Sequence, residues 1–298
     1  MQCGINLLLW TDRLNDSMLP VLEVLKEQGW DGVEVPIHDL TLDYKAWGKR
    51  LSDLDLRRTA STIRTAADNP ISPDAKIRAA AVEATKRTLD CCHALGAELL
   101  IGPFHSALAE FTGRAATADE WKWGIDGMRQ IAEHAHQADV TLAVEYINRF
   151  ECYFLTCAND AIRLVKEVNH PRFQMMYDTF HANIEEKDPI AALRQAAPHL
   201  AEVHLSENDR GTPGQGHFPW QQAFAALKEV RFDGWLVCEA FGMSLPNIQA
   251  ATKIWRRMFD SEEQLARDAL AHIKRGMGLH SPSPRGRAQV DGPGVNRS

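Results

Sequence analysis

Four ionisable residues stand at the ends of short apolar runs. Glu145 follows Leu142-Ala143-Val144, Asp178 follows Met175-Met176-Tyr177, His204 follows Val203, and Glu239 follows Leu236-Val237-Cys238. Runs of this kind belong in a protein interior, where an unpaired carboxylate is costly. A single such acid is ordinarily satisfied by a neighbouring arginine or a backbone amide. Four in succession ask for more. Three carboxylates and an imidazole, with no lysine or arginine among them, concentrate negative charge that one divalent cation can neutralise. An oxygen-rich donor set with one nitrogen suits Mn2+, with Mg2+ or Co2+ as alternatives, better than structural zinc.

Such residues need elements that bring them to one place. Eight short β-rich runs alternate with longer amphipathic stretches: 3–10, 32–37, 57–64, 98–104, 141–147, 173–179, 201–207 and 235–241. Helices are expected between them, including 18–28, 73–95, 118–138, 158–168, 189–197 and 219–230. Ser72-Pro73-Asp74 and Thr117-Ala118-Asp119-Glu120 read as helix starts. Gly29, Gly96 and Gly234 read as left-handed helix ends. Eight strands, each followed by a helix, predict a single-domain α/β fold, a (β/α)8 TIM barrel over residues 1–276, rather than an open doubly wound sheet. The Pro-, Gly- and Arg-rich stretch 277–298 reads as a disordered tail. In a (β/α)8 barrel the C-terminal strand ends carry the chemistry, and the four residues above fall on the last four.

Composition narrows the partners. A net charge of -7 offers no basic face for phosphate backbones, so a nucleic-acid partner is not expected. Six cysteines without CxxC spacing suit reduced thiols in a cytoplasmic protein. The opening Gly4-Ile5-Asn6-Leu7-Leu8-Leu9-Trp10 has no basic flank and no long apolar continuation, so neither a signal peptide nor a membrane anchor is expected. A small molecule is the expected partner, and a homo-oligomer, dimer or tetramer, is allowed.

Longer motifs surround the four residues: Glu145-Tyr146-Ile147-Asn148-Arg149-Phe150-Glu151, Asp178-Thr179-Phe180-His181-Ala182-Asn183-Ile184-Glu185-Glu186, His204 with Arg210 six residues on, Pro213-Gly214-Gln215-Gly216, and Cys238-Glu239-Ala240-Phe241. Together they resemble the sugar isomerases and epimerases of the xylose isomerase-like barrels, in the D-tagatose 3-epimerase (D-psicose 3-epimerase) branch. The resemblance implies that Glu145, Asp178, His204 and Glu239 ligate one divalent metal ion. It implies that Glu145 and Glu239 are also the catalytic acid–base pair, and that Glu151, His181 and Arg210 bind the O1, O2 and O3 end of a small sugar. Trp10, at the end of the first candidate strand, is placed to stack on a sugar face or to plug the barrel mouth. Glu34 and His38, near the end of the second, are placed to line the same pocket, and His105 follows the fourth.

The chemistry implied is C3 epimerisation of a free ketose, in which one base removes the proton beside the C2 carbonyl and another returns a proton to the opposite face. The same apparatus also suits aldose–ketose isomerisation of the hydroxypyruvate isomerase kind, dehydration of a keto-inositol, or β-elimination from a 3-keto-glycoside. A sugar-binding sensor barrel is the alternative that is not an enzyme. The segments Leu205-Ser206-Glu207-Asn208-Asp209 and Leu7-Leu8-Leu9 depart from the epimerase pattern, which leaves the far end of the substrate open.

Overall fold

The computed structural model describes residues 1–279. Its strands are β1 (Gln2–Asn6), β2 (Gly32–Pro36), β3 (Arg57–Ser61), β4 (Leu99–Gly102), β5 (Thr141–Glu145), β6 (Phe173–Asp178), β7 (Leu200–Leu205) and β8 (Trp235–Cys238). They form a closed barrel in sequence order. Every pair is parallel, including β1 with β8, which closes the ring. The helices are α1 (Leu19–Gln28), α2 (Tyr44–Asp53), α3 (Ala75–Leu95), α4 (Ala118–Gln137), α5 (Ala158–Val168), α6 (Thr179–Glu185), α7 (Pro189–Ala196), α8 (Trp220–Glu229), α9 (Pro246–Thr252) and α10 (Glu262–Met277). The expected (β/α)8 TIM barrel is therefore what the chain forms. Among the described residues, no helix is long and apolar enough to cross a membrane.

Side chains alternate across each strand, so one set faces the helices and the other fills the barrel. Val33, Val35, Leu100, Val144, Tyr177, Val203 and Leu236 join the large core under the helices. Leu99, Ile101, Ala143, Met176, Trp235 and Val237 form a separate cluster. Glu145, Asp178 and Glu239 keep step with Ala143, Met176 and Val237, two residues behind them, and so face inward. At the bottom of the barrel Trp235 needs room. A Cβ on Gly32 would lie 2.3 Å from the Arg57 carbonyl and 2.7 Å from the Trp235 ring, so only glycine fits there.

Several expected boundaries move. The first strand stops at Asn6 instead of running to Trp10, because the Asn6 side chain accepts from the Leu8 N–H and turns Leu7–Leu9 into a 3-10 helix. The third strand stops at Ser61. Helix α3 begins at Ala75, with Asp74 rather than Ser72 capping it through the Lys76 N–H. Gly29 and Gly96 end their helices left-handed as expected. Gly234 does not: Arg231 takes the left-handed conformation after α8. Gly234 instead permits a close strand approach, since a Cβ there would lie 2.2 Å from the Ala201 carbonyl. Met277 closes α10 and Gly278 caps it, and the rest of the expected tail, from 280 onward, lies outside the described residues.

The start of α4 matches its motif. Thr117 and Glu120 cap each other reciprocally, and Glu120 also receives bonds from Arg114 (3.0 Å) and the Tyr153 hydroxyl (2.9 Å). Burial acts to raise the Glu120 carboxyl, but those bonds outweigh it and bring it down to about 2 from an ordinary 4.5. A depressed carboxyl stabilises the fold fully above its ordinary value and loses that contribution as pH falls through its folded value. The stability gap between wild type and Glu120→Gln in urea titrations should thus be widest above pH 4.5 and close towards pH 2. Thr117→Ala should cost about 1 kcal/mol at neutral pH.

Candidate metal centre and active site

Strand register sets the site. Asp178 on β6 pairs directly with His204 on β7, and His204 pairs with Val237, two residues before Glu239. Glu145 ends β5 beside Met176 of β6. All four are buried: Asp178 and His204 are fully enclosed, and Glu145 and Glu239 are 6% and 7% exposed. Ligand atoms of Asp178, His204 and Glu239 lie within 4.8 Å of one another. Glu145 joins this set through Asp178, in a second group of the same tightness that includes His181. His204 Nδ1 lies 3.4 Å from Glu239 Oε1 and 3.8 Å from Asp178 Oδ2, and makes no hydrogen bond. Nε2 is likewise without a hydrogen bond. A buried imidazole nitrogen left unpartnered beside the carboxylates of Asp178 and Glu239 is what a metal ligand looks like, so the residues present fit a divalent cation.

Positive charge already reaches this place from one side chain. Arg210 Nη1 lies 2.6 Å from Glu239 Oε2 and 2.9 Å from Asp178 Oδ2, and Ser206 Oγ accepts from it as well. Its guanidinium stacks 3.9 Å over Phe180 and 5.1 Å from the Phe241 ring. Burial would raise the Asp178 carboxyl, but Arg210, with His181 and His204 behind it, holds it well below the carboxylate range. The Glu145 carboxyl goes the other way. Burial and the neighbouring Glu239 charge push it well up, and His204 offsets them only in part. His204 is driven well above its ordinary value because the Glu34 and Glu239 charges outweigh its burial.

The residues implied to hold substrate converge on the same opening. A cavity of about 160 Å³ is lined by Glu145, Glu239, Glu151, His181 and Arg210. His181 Nδ1 accepts from the Asn148 backbone N–H at 3.0 Å, while Nε2 faces Arg210 Nη2 at 3.1 Å and Glu145 Oε1 at 3.6 Å. Burial brings His181 down to about 4 against the pull of Asp178. Glu151 Oε1 is held by Asn148 Nδ2 at 2.6 Å. Arg149, the obvious competitor for Glu151, pairs with Glu185 instead.

Other sequence candidates fall elsewhere. Trp10, beyond the 3-10 helix, packs partly buried against the core and is not among the residues lining the cavity. His38 does line it. Glu34 is fully buried below it, 3.0 Å from His204 Nε2. His105 is sealed behind Phe154, its Nδ1 bonded to Ser106 Oγ. Sequence reading missed Asn6, which donates to Glu34 at 2.8 Å and to Glu239 at 3.3 Å, and Glu202, 3.1 Å from His204 Nε2. The signal for Glu202 was its place two residues before His204, on the same face of one strand.

A family model for xylose isomerase-like TIM barrels matches residues 22–276. The chain belongs to that family. Within it, an L-ribulose 3-epimerase of Mesorhizobium japonicum is 32% identical over 283 residues, covering 93% of this chain and 94% of the relative. A D-psicose 3-epimerase of Agrobacterium fabrum is 29% identical, covering 93% of this chain and 100% of the relative. A solved L-ribulose 3-epimerase superposes with a TM-score of 0.89 at 29% identity, covering 93% of this chain and 94% of the other. Ketose 3-epimerases among the xylose isomerase-like barrels are thus the relatives this chain is similar to, in sequence and in fold, and they support sugar epimerisation.

Arg210 is the cationic side chain that Asp178 and Glu239 share. Arg210→Met should destabilise protein dialysed free of metal by about 3–5 kcal/mol, the usual cost of stranding a buried charge. Urea denaturation with an unchanged midpoint would show that Arg210 does not hold these carboxylates together.

Proposed function

We propose that this chain is a divalent-metal-dependent ketose 3-epimerase that acts on a free, unphosphorylated ketose. One observation carries the reading: Glu145 and Glu239 enter the same cavity from β5 and from the end of β8, with β6 and β7 between them. Two carboxylates that approach a substrate from well-separated points on the ring can address its two faces. Asp178 and His204 lie between them and belong with them as ligands of the ion. A cation held by Glu145, Asp178, His204 and Glu239 would polarise the C2 carbonyl and acidify the neighbouring C3–H. Mn2+ is the preferred ion on the chemistry of three carboxylates and one imidazole, with Mg2+ or Co2+ as substitutes.

The protein's own groups supply the proton traffic. One glutamate takes the C3 proton, which leaves an enediolate, and the other delivers a proton to the opposite face of C3. Which of the two acts first follows from the configuration of the substrate. His181, Arg210 and Glu151 line the same cavity as the two glutamates, where they could bond the O1, O2 and O3 end of the sugar and keep C3 between the bases. Phe180 and Phe241 flank Arg210 and keep water from it.

Two further observations support a free sugar. Arg210 is the one lysine or arginine among the residues lining the cavity, and Asp178 and Glu239 already engage it. The remaining wall is largely apolar, built from Leu8, Ile63, Leu108, Ile147 and Ile248. A phosphate at that end would find no donor charge. The cytoplasm suits the six free cysteines. Exposed Phe111, Phe150, Met243 and Trp255, all in loops on the strand-end face, are in keeping with a dimer or tetramer.

The test is solvent exchange. Free ketopentoses and ketohexoses incubated in D2O with Mn2+ should gain one deuterium at C3 together with the C3 epimer, as read by proton NMR. Glu239→Gln and Glu145→Gln should each slow this by on the order of 10²–10⁴-fold. Deuterium at C1 with an aldose product, or loss of a substituent, would replace the proposal with isomerisation or elimination.

A further inference from the structure

A second polar layer lies beneath the four strand-end residues. Glu34 on β2 and Glu202 on β7 are fully buried there, and His204 spans the two layers. Its Nδ1 faces Glu239 and Asp178 at 3.4 and 3.8 Å, and its Nε2 faces Glu34 Oε1 and Glu202 Oε1 at 3.0 and 3.1 Å. With a cation at Nδ1 the imidazole is neutral, and its one proton is on the other nitrogen. Nε2 makes no hydrogen bond at the present ring angle, but a proton there has the Glu34 carboxylate, 3.0 Å away, as its nearest acceptor. The Nε2–H tautomer results, and it leaves the Nδ1 lone pair on the side where Asp178 and Glu239 converge.

Glu34 and Glu202 are not equivalent in this. Glu34 is fixed at both oxygens: Oε1 accepts from Asn6 Nδ2 at 2.8 Å and Oε2 from Thr59 Oγ1 at 3.0 Å. Neither oxygen of Glu202 has a hydrogen-bond partner, so no donor holds it as Asn6 and Thr59 hold Glu34. The Asn6 amide that holds Glu34 also reaches Glu239 Oε1 at 3.3 Å. One chain of contacts thus runs from Thr59 through Glu34 to His204, and through Asn6 to Glu239. None of Glu34, Glu202 and Thr59 lines the cavity.

We propose that Glu34 is a positioning residue, which holds His204 in its Nε2–H tautomer and ring orientation and, by way of Asn6, sets the direction of Glu239. This rests on the reading that Glu145, Asp178, His204 and Glu239 hold a divalent cation. Glu34 itself touches neither the ion nor the substrate. Outer carboxylates that orient a ligating histidine are worth about 10–100-fold in metal affinity.

The experiment is Mn2+ titration of chelator-dialysed protein, with free ion read from its electron paramagnetic resonance signal and the melting temperature of the metal-free protein measured alongside. Glu34→Gln should weaken Mn2+ binding by about 10–100-fold. Glu202→Gln should weaken it clearly less. Thr59→Val, which removes one of the two donors that fix Glu34, should weaken it in the same direction by a smaller factor and serves as the test if Glu34→Gln does not fold. A purely structural Glu34 would lower the melting temperature and leave the affinity of folded protein unchanged, which overturns the inference. Equal losses for Glu34→Gln and Glu202→Gln overturn the assignment to Glu34. Failure of wild type to bind Mn2+ overturns the reading of the site itself, whereas tight wild-type binding matched by Glu34→Gln overturns this inference alone.

Discussion

Five carboxyl groups, Glu34, Glu145, Asp178, Glu202 and Glu239, are buried around one imidazole inside a closed barrel. No arrangement of the rest of the chain makes that favourable by itself. Carboxylates taken out of water must be protonated, bonded or matched by positive charge. The groups show all three responses. Glu145 and Glu202 are pushed towards their neutral forms by burial and like charge. Asp178 stays ionised beside Arg210, and Glu34 stays ionised because His204 and several hydrogen bonds outweigh its burial. A divalent cation is the species that would let the upper carboxylates be charged together.

The barrel makes this concentration possible by dividing its interior. Leu99, Ile101, Ala143, Met176, Trp235 and Val237 give an apolar base that needs no polar partner. Above and beside it lies a polar middle, in which Asn6 and Thr59 bond Glu34, and His204 Nε2 stands 3.0 and 3.1 Å from Glu34 and Glu202. The ends of the strands then present Glu145 and Glu239 to the cavity, with Asp178 buried behind Arg210. Successive inward residues on one strand are two apart, as Met176 and Asp178 are on β6 and Glu202 and His204 on β7, so the sheet that carries the fold also sets the order from floor to strand end. The cavity lies at the top, where loops and α9 line it.

Much of this was legible in the sequence because strand periodicity and ligand chemistry both act locally. Glu145 after Leu142-Ala143-Val144 and Glu239 after Leu236-Val237-Cys238 announce buried strand ends without knowledge of any partner. Contacts between distant strands were not legible. Nothing near Glu34 in sequence says that its partners are Asn6, Thr59 and His204, and it was placed in the pocket wall when it lies under the floor. Trp10 was misplaced for a local reason: the Asn6 side chain ends β1 early, which an apolar run hides. Gly234 was read as a helix end because glycine is common there, whereas its task is to let β7 and β8 approach. The apolar wall formed by Ile63, Leu108 and Ile248 draws on two loops and α9, and only folding brings it together.

The most direct measurement is the position of a bound ion. Crystals prepared with Mn2+ and measured at the manganese absorption edge should give one anomalous peak per chain, bonded to Glu145, Asp178, His204 Nδ1 and Glu239. A peak placed instead between Glu34 and Glu202, or no peak at saturating Mn2+, would contradict the account.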